Sequence, residues 1–265
     1  MKLSIIIPVL NVEKYISKAI ESIQNQSFKN WELIVVDDGC TDKTEEIVQR
    51  FMEKDGRIKF IPTKKNVGIS AAINKGIKIA KGDIIGYLGA DDWYDKDVFS
   101  DVIIFFEQHP EIMWIYGDSY NVYNMPNGET REIKLTPLVQ FDYQKMLGGN
   151  YIGLQNVFFR KALFEKVGLF DPKILYATDY EFWLRIGRDF IPKKLSRVIS
   201  YNLQDENYSS IKRREQCWDA LKLSWRYSCG LKEKLKAVKY FLRFIKTFLP
   251  SLPKLKLFIT RRFKA

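Results

Sequence analysis

The chain has 265 residues, 46% of them hydrophobic and 28% charged, so it can bury a substantial core and is neither disordered nor collagen-like. Three widely spaced cysteines and one histidine, His109, exclude a disulfide framework, multi-histidine metal sites and any catalytic triad without His109. The net charge of +11 lies almost wholly in residues 231–265, which carry eleven Lys or Arg against one acid, so it does not predict nucleic-acid binding by the rest.

Four short segments rich in β-branched and aromatic residues predict buried strands at 3–7, 31–36, 58–61 and 84–88. Between them, apolar residues recur every three or four positions and predict helices near 12–23, 47–52 and 69–80. Asp42 and Glu45 have the spacing of a capping box at the start of the second helix. This βαβαβαβ order predicts an α/β fold with a mostly parallel sheet and helices on both faces.

Acidic loops follow the predicted strands. Asp37 and Asp38 follow the second strand, and Asp91 and Asp92 follow the fourth. The carboxyl ends of parallel strands gather at one edge of a sheet, where such folds bind ligands. Dinucleotide and P-loop glycine motifs are absent, and carboxylates can face a polyphosphate only across a divalent cation, Mg²⁺ or Mn²⁺. The alternative is that these aspartates only cap the following helices.

Further along the chain, aromatic-rich runs around Pro126-Asn127-Gly128 predict an antiparallel hairpin over residues 113–135. Tyr116, Asp118 and Tyr120 could face a bound ligand there, although packing is the favoured interpretation. On a later helix, Glu181 and Arg185 have the spacing of an ion pair. We assign no role to His109, which we expect at a helix end.

Several long motifs resemble one known family. They are IIIPVLNVEKYISKAIESIQNQSFKNWELIVVDDGCTDKT, AINKGIKIAKGDIIGYLGADDWY, QNVFFRKALFEKVGLFD and ATDYEFWLRIG. Together they resemble the family 2 glycosyltransferases of GT-A fold, over roughly residues 1–205. The resemblance implies a Rossmann-like fold that binds a nucleotide-diphosphate sugar, with a UDP-sugar as the expected donor and 1–205 as the transferase domain.

On the donor side, the resemblance implies that Pro8 and Asn11 line the base pocket and that Asp38, with Asp37 beside it, accepts a hydrogen bond from the base. A carboxylate can accept from the imide N–H of uracil. Asn66 and Gly68 match the family loop near the donor.

For the chemistry, the resemblance implies that Asp91, the last position of the DxD motif, ligates Mn²⁺ or Mg²⁺, with Asp92 as its neighbour or supporting partner. Asp179 matches the general base that deprotonates an acceptor hydroxyl in an inverting displacement. The alternative for Asp179 is an N-terminal helix cap. The sequence departs from the family at Gly89, where aspartate is common. It also lacks a late histidine ligand, for which Gln204 or Asp205 could substitute.

The C-terminal region, residues 206–265, has a different pattern. Apolar residues recur at helical spacing over 231–249 with basic residues one position behind, which predicts a basic amphipathic helix. Such a helix suits an anionic membrane surface, and the alternative is packing on the domain with a solvated basic face. The aromatic residues lie on the apolar side, which disfavours nucleic acid as a partner.

These features predict an inverting, metal-dependent glycosyltransferase of cell-surface polysaccharide synthesis, acting on a saccharide or polyprenyl-linked saccharide. The odd number of cysteines, and an N-terminal apolar run too short for a signal peptide, favour a cytoplasmic protein at the inner face of the cytoplasmic membrane. The alternative is a non-catalytic membrane or nucleic-acid binding module that retains a sugar-nucleotide fold. Nucleotide binding would discriminate between them.

Overall fold

The computed structural model describes residues 1–63, 65–125, 128–137, 139–204, 210–235, 237–238 and 242, with the backbone only for 210–214. Within these ranges the strands are β1 (Leu3–Val9), β2 (Trp31–Asp37), β3 (Ile58–Ile61), β4 (Ile84–Tyr87), β5 (Trp93–Tyr94), β6 (Trp114–Asn124), β7 (Thr130–Leu135), β8 (Val157–Arg160) and β9 (Lys193–Gln204). The helices are α1 (Ile16–Gln24), α2 (Thr44–Lys54), α3 (Ile69–Ile79), α4 (Val98–Gln108), α5 (Tyr143–Met146), α6 (Lys161–Val167), α7 (Thr178–Ile186) and α8 (Ser210–Tyr227).

The first four strands form the parallel half of the sheet, in the order β3-β2-β1-β4. In its register Leu3 lies opposite both Trp31 on β2 and Ile84 on β4. All of β2 and nearly all of β1 are buried, as expected for strands covered by helices on both faces. The predicted parallel sheet is therefore confirmed, and the ends of β1, β2 and β4 point to one edge.

The second half of the sheet mixes directions. β8 pairs antiparallel with β4 and with β6, β9 runs parallel to β6, and the short β5 pairs with β9. β6 and β7 form the predicted antiparallel hairpin, whose residues 126 and 127 lie outside the described residues. The strands therefore continue the parallel half past β4 and curl the sheet around its edge.

Two hydrophobic cores cover the two faces of the sheet. One contains Ile5 of β1 with residues of α1, α2 and α4, and the other contains the adjacent Ile6 with residues of α3, α6 and α7. Neighbouring residues of a strand point to opposite faces, which explains this division. The second core includes a stack of Trp114 on Trp183, with ring centroids 5.0 Å apart.

Two sequence predictions about helix starts are wrong. α1 begins at Ile16, four residues later than its apolar pattern suggested. Asp42 does not form a capping box, because its carboxylate accepts hydrogen bonds from the backbone N–H groups of Thr44 and Glu13. Asp42 therefore links the start of α2 to the loop after β1, a long-range contact that local spacing cannot predict.

α8 packs on the body of the protein. The Tyr227 hydroxyl donates to Glu181 Oε1 at 2.6 Å, and Glu181 also pairs with Arg185, as the spacing predicted. Residues 230–235 are helical, and Glu233 accepts a hydrogen bond from Arg188 at 2.8 Å. The predicted tail helix is therefore present from residue 230 in the part of the tail that the structure describes. Residues 236, 239–241 and 243–265 lie outside the described residues.

Among the helices that the structure describes, none combines the length and the apolar character needed to cross a bilayer.

Candidate active site

The turn after β2 is held by the two aspartates that the sequence singled out. Asp37 Oδ1 accepts from the backbone N–H groups of Gly39 and Cys40, at 3.0 and 2.8 Å. Burial alone would raise the pKa of Asp37, but the hydrogen bonds donated to it outweigh that effect and hold its pKa below the ordinary value. Asp37 therefore stabilises the turn in which it lies.

Asp38 ties this turn to the loop before α3. Its Oδ1 accepts from the N–H groups of Val67 at 2.6 Å and Gly68 at 3.1 Å, and Gly68 has φ 85°. Gly39, at φ 96°, lets the loops meet, because a Cβ there would lie 2.9 Å from Asn66 N. The structure thus brings together Asp38, Asn66 and Gly68, the residues for which the family resemblance implies a place near the donor.

Asn11 lies at the same edge of the sheet, in the loop after β1. It lies in the left-handed region at φ 53°, and its side-chain oxygen accepts from Thr41 N at 2.8 Å. Its own N–H donates to Cys40 Sγ at 3.3 Å. Pro8 lies opposite Val36 in the sheet register. Asn11 therefore contacts the turn that follows β2, and Pro8 lies in β1 close to the same edge.

Asp91 and Asp92 follow β4 and differ in exposure. Asp91 is exposed, whereas Asp92 is buried and its Oδ1 accepts from Leu203 N at 3.0 Å. Burial, followed by the charge of Asp91, raises the pKa of Asp92 well above its ordinary value. Asp92 thus joins the turn after β4 to the end of β9, and Asp91 presents the accessible carboxylate.

Gly89 leaves the space that Asp92 occupies. A Cβ at this position would lie 2.5 Å from Asp92 Oδ2 and 3.1 Å from Asp91 Oδ1. A larger residue here would collide with the carboxylates on its own turn. The departure from the family pattern at Gly89 is therefore matched by the placement of Asp92.

A cavity of about 1000 Å³ lies at the end of β4 and is lined by three carboxylates. Asp91 and Asp92 line it from the turn after β4, and Asp179 lines it from the first turn of α7. The start of α3, next to Gly68, supplies Ile69 and Ile73 to the wall. The cavity therefore adjoins the predicted nucleotide site and joins the residues predicted for metal binding and proton removal.

Asp179 sits in this cavity as an oriented carboxylate. Its Oδ2 accepts from Asn150 Nδ2 and its Oδ1 from Tyr180 N, both at 2.7 Å. Burial raises the pKa of Asp179, while these two hydrogen bonds act in the opposite direction. The residue before α7 is Ala177, so Asp179 is not the N-terminal cap of that helix. Its position suits a proton acceptor.

Tyr87, the last residue of β4, was missed by the sequence analysis. It lines the cavity, and burial raises its pKa, with further contributions from the charges of Asp92, Asp91 and Asp179. Tyr87 therefore shares the cavity with all three carboxylates. The rule that ligands meet the carboxyl ends of strands could have identified it.

A buried polar network behind the cavity was also missed. Asn156 donates to Ser119 Oγ at 3.0 Å, and Ser200 Oγ lies 2.5 Å from Asn156 Oδ1 and 2.8 Å from Asn202 Oδ1. Asn202 lines the cavity. These residues come from β6, β8's preceding turn and β9, so no local sequence signal connects them.

The residues that could hold a divalent cation are few. Among the described residues, no group of three His, Cys, Asp or Glu side chains could hold a metal ion. The oxygen donors of Asp91 and Asp92 suit Mg²⁺ or Mn²⁺, which commonly complete their shells with substrate phosphates and water. Gln204 also lines the cavity, and Asp205 lies outside the described residues. The donor set therefore fits a cation that binds together with a diphosphate.

Comparisons with known proteins agree with this geometry. Residues 4–168 match the family described as Glycosyl transferase family 2. An uncharacterized glycosyltransferase of Haemophilus influenzae is 33% identical over 246 residues, which are 92% of this chain and 93% of the relative.

Solved structures share the fold. The structure of S. aureus TarS 1-349 in complex with UDP-GlcNAc has a TM-score of 0.69 and 20% identity, over 95% of this chain and 73% of that one. The mannosyltransferase PcManGT from Pyrobaculum calidifontis, in complex with GDP-Man and Mn²⁺, has a TM-score of 0.68 and 16% identity, over 98% and 79%. The predicted GT-A architecture is confirmed.

The contact at Gly89 gives a first prediction. Gly89→Ala should destabilise the protein by about 1–3 kcal/mol, the usual range for overpacking, because the new methyl group displaces the Asp92 carboxylate. Urea unfolding measures the change. Gly56→Ala is the matched control, since a Cβ there meets nothing within 4 Å. Equal stability of Gly89→Ala and wild type would contradict the assigned packing, and Gly89→Ala combined with Asp92→Ala should recover part of the loss.

Proposed function

Because this chain belongs to glycosyl transferase family 2, we propose that it transfers a sugar, with inversion, from a nucleotide-diphosphate donor to a saccharide acceptor. The donor is a UDP-sugar, and the acceptor is a saccharide or lipid-linked saccharide of cell-surface polysaccharide synthesis. The observation that carries the proposal is the shared cavity, in which Asp91 and Asp179 line one space. The transferase domain spans residues 1–205.

On the donor side, the base lies against Pro8 and Asn11, with its imide N–H donating to Asp38. Asp38 Oδ1 already accepts from two backbone N–H groups, so Oδ2 is the oxygen that we assign to the base. Asp37 keeps the turn in shape through its bonds to Gly39 and Cys40. The loop of Asn66 and Gly68 then leads to the cavity through the start of α3.

The diphosphate lies beside the turn after β4. Asp91 would hold Mn²⁺ or Mg²⁺ there, with Asp92 behind it, anchored by Leu203 N. When bound, such a cation neutralises the negative charge that develops on the departing nucleoside diphosphate. Neighbouring structures support this assignment, since one was solved with GDP-Man and Mn²⁺ and another with UDP-GlcNAc.

Asp179 is the general base. Its Oδ1 is held by Tyr180 N and its Oδ2 by Asn150, so the carboxylate keeps one orientation toward the cavity. It removes the proton from the acceptor hydroxyl as that oxygen attacks the anomeric carbon, on the side opposite the diphosphate. Burial raises its pKa, which strengthens it as a base. A single displacement of this kind inverts the anomeric centre.

Nucleotide binding is the direct test of the donor assignment. Thermal unfolding is measured with UDP, GDP, dTDP and CMP, each with and without Mn²⁺, and UDP with Mn²⁺ should stabilise the protein most. A ligand at about 100 times its Kd adds about 2.7 kcal/mol to the free energy of unfolding. Asp91→Asn should remove the part of the shift that depends on Mn²⁺.

Asp189→Asn is the control for Asp91→Asn, since Asp189 is exposed and does not line the cavity. If no nucleotide shifts the unfolding temperature of wild type, the transferase proposal fails and a binding module without turnover takes its place.

The role of Asp179 gives a third prediction. Asp179→Asn should lower transfer by about 10²–10⁴-fold, the usual contribution of a general base, and leave nucleotide binding unchanged. Release of UDP from the donor and thermal shift with UDP measure the two effects. Transfer at the wild-type rate in this variant would exclude Asp179 from the mechanism.

Asn150→Ala is the companion variant, because it keeps the carboxylate but removes a hydrogen bond that lowers the pKa of Asp179. The base acts when ionised, so kcat/KM falls as the pH falls through this pKa. Because burial raises the pKa of Asp179, this fall in kcat/KM should occur at a pH above about 3.9, the ordinary pKa of aspartate. Asn150→Ala should move it to still higher pH.

We also propose that residues 206–265 bind the anionic cytoplasmic face of the membrane. Trp218 and Trp225 of α8, seven residues apart, are 59% and 47% exposed, and Leu231 and Leu235 are 71% and 56% exposed. Lys234 Nζ lies 5.0 Å from the Trp225 ring. Exposed tryptophans among basic residues suit a lipid interface, where each basic residue contributes about 1 kcal/mol. Burial of Ala237 on the body supports the alternative for part of this segment.

Membrane binding is tested by sedimentation with liposomes. Trp218→Ser combined with Trp225→Ser should weaken binding to vesicles containing phosphatidylglycerol, and added salt should weaken it further, because salt screens the basic residues. Val139→Ser is the control, since Val139 is also exposed but lies outside the C-terminal region. Equal binding of wild type and the double variant would contradict the proposed membrane surface.

A further inference from the structure

A second, smaller pocket lies behind Asp179. It has a volume of about 190 Å³ and is bounded by the loop 147–150, the start of α7, α8 and Ala237. Asp179 and Gln216 line both this pocket and the large cavity. The two spaces therefore meet at the carboxylate assigned as the general base. α8 and Ala237 lie beyond residues 4–168, where the family match ends.

The walls of this pocket are mainly apolar. Its apolar lining consists of Leu147, Ala177, Ala220, Leu221 and Ala237. Two polar wall residues bond within the protein, since Tyr180 and Ser224 both donate to Leu147 O, at 3.0 and 2.5 Å. A polar ligand would lose its hydrogen bonds to water here and find few protein groups to replace them. An apolar ligand has no such cost.

The polar groups gather where the pocket meets the cavity. Asn150 and Asp179 are bonded to each other at this point, and the exposed Gln216 is the third polar residue. The pocket is comparable in size to a 150 Å³ apolar cavity that binds benzene. It therefore fits one ring or a short alkyl segment, and it leaves a hydroxyl on the same molecule next to Asp179.

We propose that this pocket binds the apolar aglycone of the acceptor, meaning the hydrophobic group linked to the sugar that carries the attacking hydroxyl. The inference rests on the proposed function, in which that hydroxyl lies between Asp179 and the donor sugar. The acceptor then extends from Asp179 away from Asp91, into the apolar pocket. The substrate class is a glycoside with an aromatic or alkyl aglycone, and α8 supplies its selectivity.

The experiment compares phenyl β-D-glucopyranoside with methyl β-D-glucopyranoside as probes, using saturation-transfer NMR on the full chain. The phenyl glycoside should bind at least tenfold more tightly than the methyl glycoside. Ala220→Phe, which fills the pocket, should weaken binding of the phenyl glycoside at least tenfold. Lys222→Trp is the matched control, because it adds an aromatic ring to an exposed position of the same helix and should bind the probe as wild type does.

Gln216→Trp closes the pocket from its mouth and provides a second variant if Ala220→Phe does not fold. The thermal shift with UDP and Mn²⁺ is measured on every variant. Equal binding of the two glycosides, or unchanged binding of the phenyl glycoside in a folded pocket variant, overturns the inference. If wild type binds the phenyl glycoside but no nucleotide, the proposed function fails while the pocket stands as an apolar binding site without an acceptor role.

Discussion

The change of strand direction beside β4 is the constraint on which the site depends. β4 has a parallel partner, β1, on one side and an antiparallel partner, β8, on the other. Beyond β8, strands β6 and β9 bring the second half of the chain back to the edge where β4 ends. A hydrogen bond from Leu203 N to Asp92 Oδ1 connects the end of β9 to the turn after β4. Asp91 and the end of β9 therefore line one cavity.

The carboxylates at this edge are distinguished by their surroundings. Asp37 and Asp38 accept backbone hydrogen bonds and hold loops, whereas Asp91 is exposed and Asp92 is buried behind it. Asp179 differs again, since burial raises its pKa and two donors fix its direction. In the proposed mechanism the same type of residue therefore serves loop geometry, metal binding and proton transfer, depending on the polar groups around it.

Helix α8 of the C-terminal region has one side at the site and another side exposed to solvent. α8 contributes one wall of the apolar pocket behind Asp179, and it carries Trp218 and Trp225 as exposed residues. A helix that contacts both a lipid surface and the acceptor pocket would present a membrane-linked acceptor directly to the base. The hydrogen bonds of Tyr227 and Ser224 hold this helix on the body of the protein.

The amino-acid sequence predicts the parallel half of the fold and its acidic edge, because hydrophobic periodicity and strand ends are local properties of the chain. It identified Asp38, Asn66 and Gly68, which the structure brings together, and Asp91 and Asp179, which line one cavity. The groups that surround these residues come from distant parts of the chain and are brought there by folding. Asn150 and the network of Asn156 and Asn202 reach the site through long-range contacts, which depend on packing and leave no local pattern. Tyr87, by contrast, ends a predicted strand and could have been identified there.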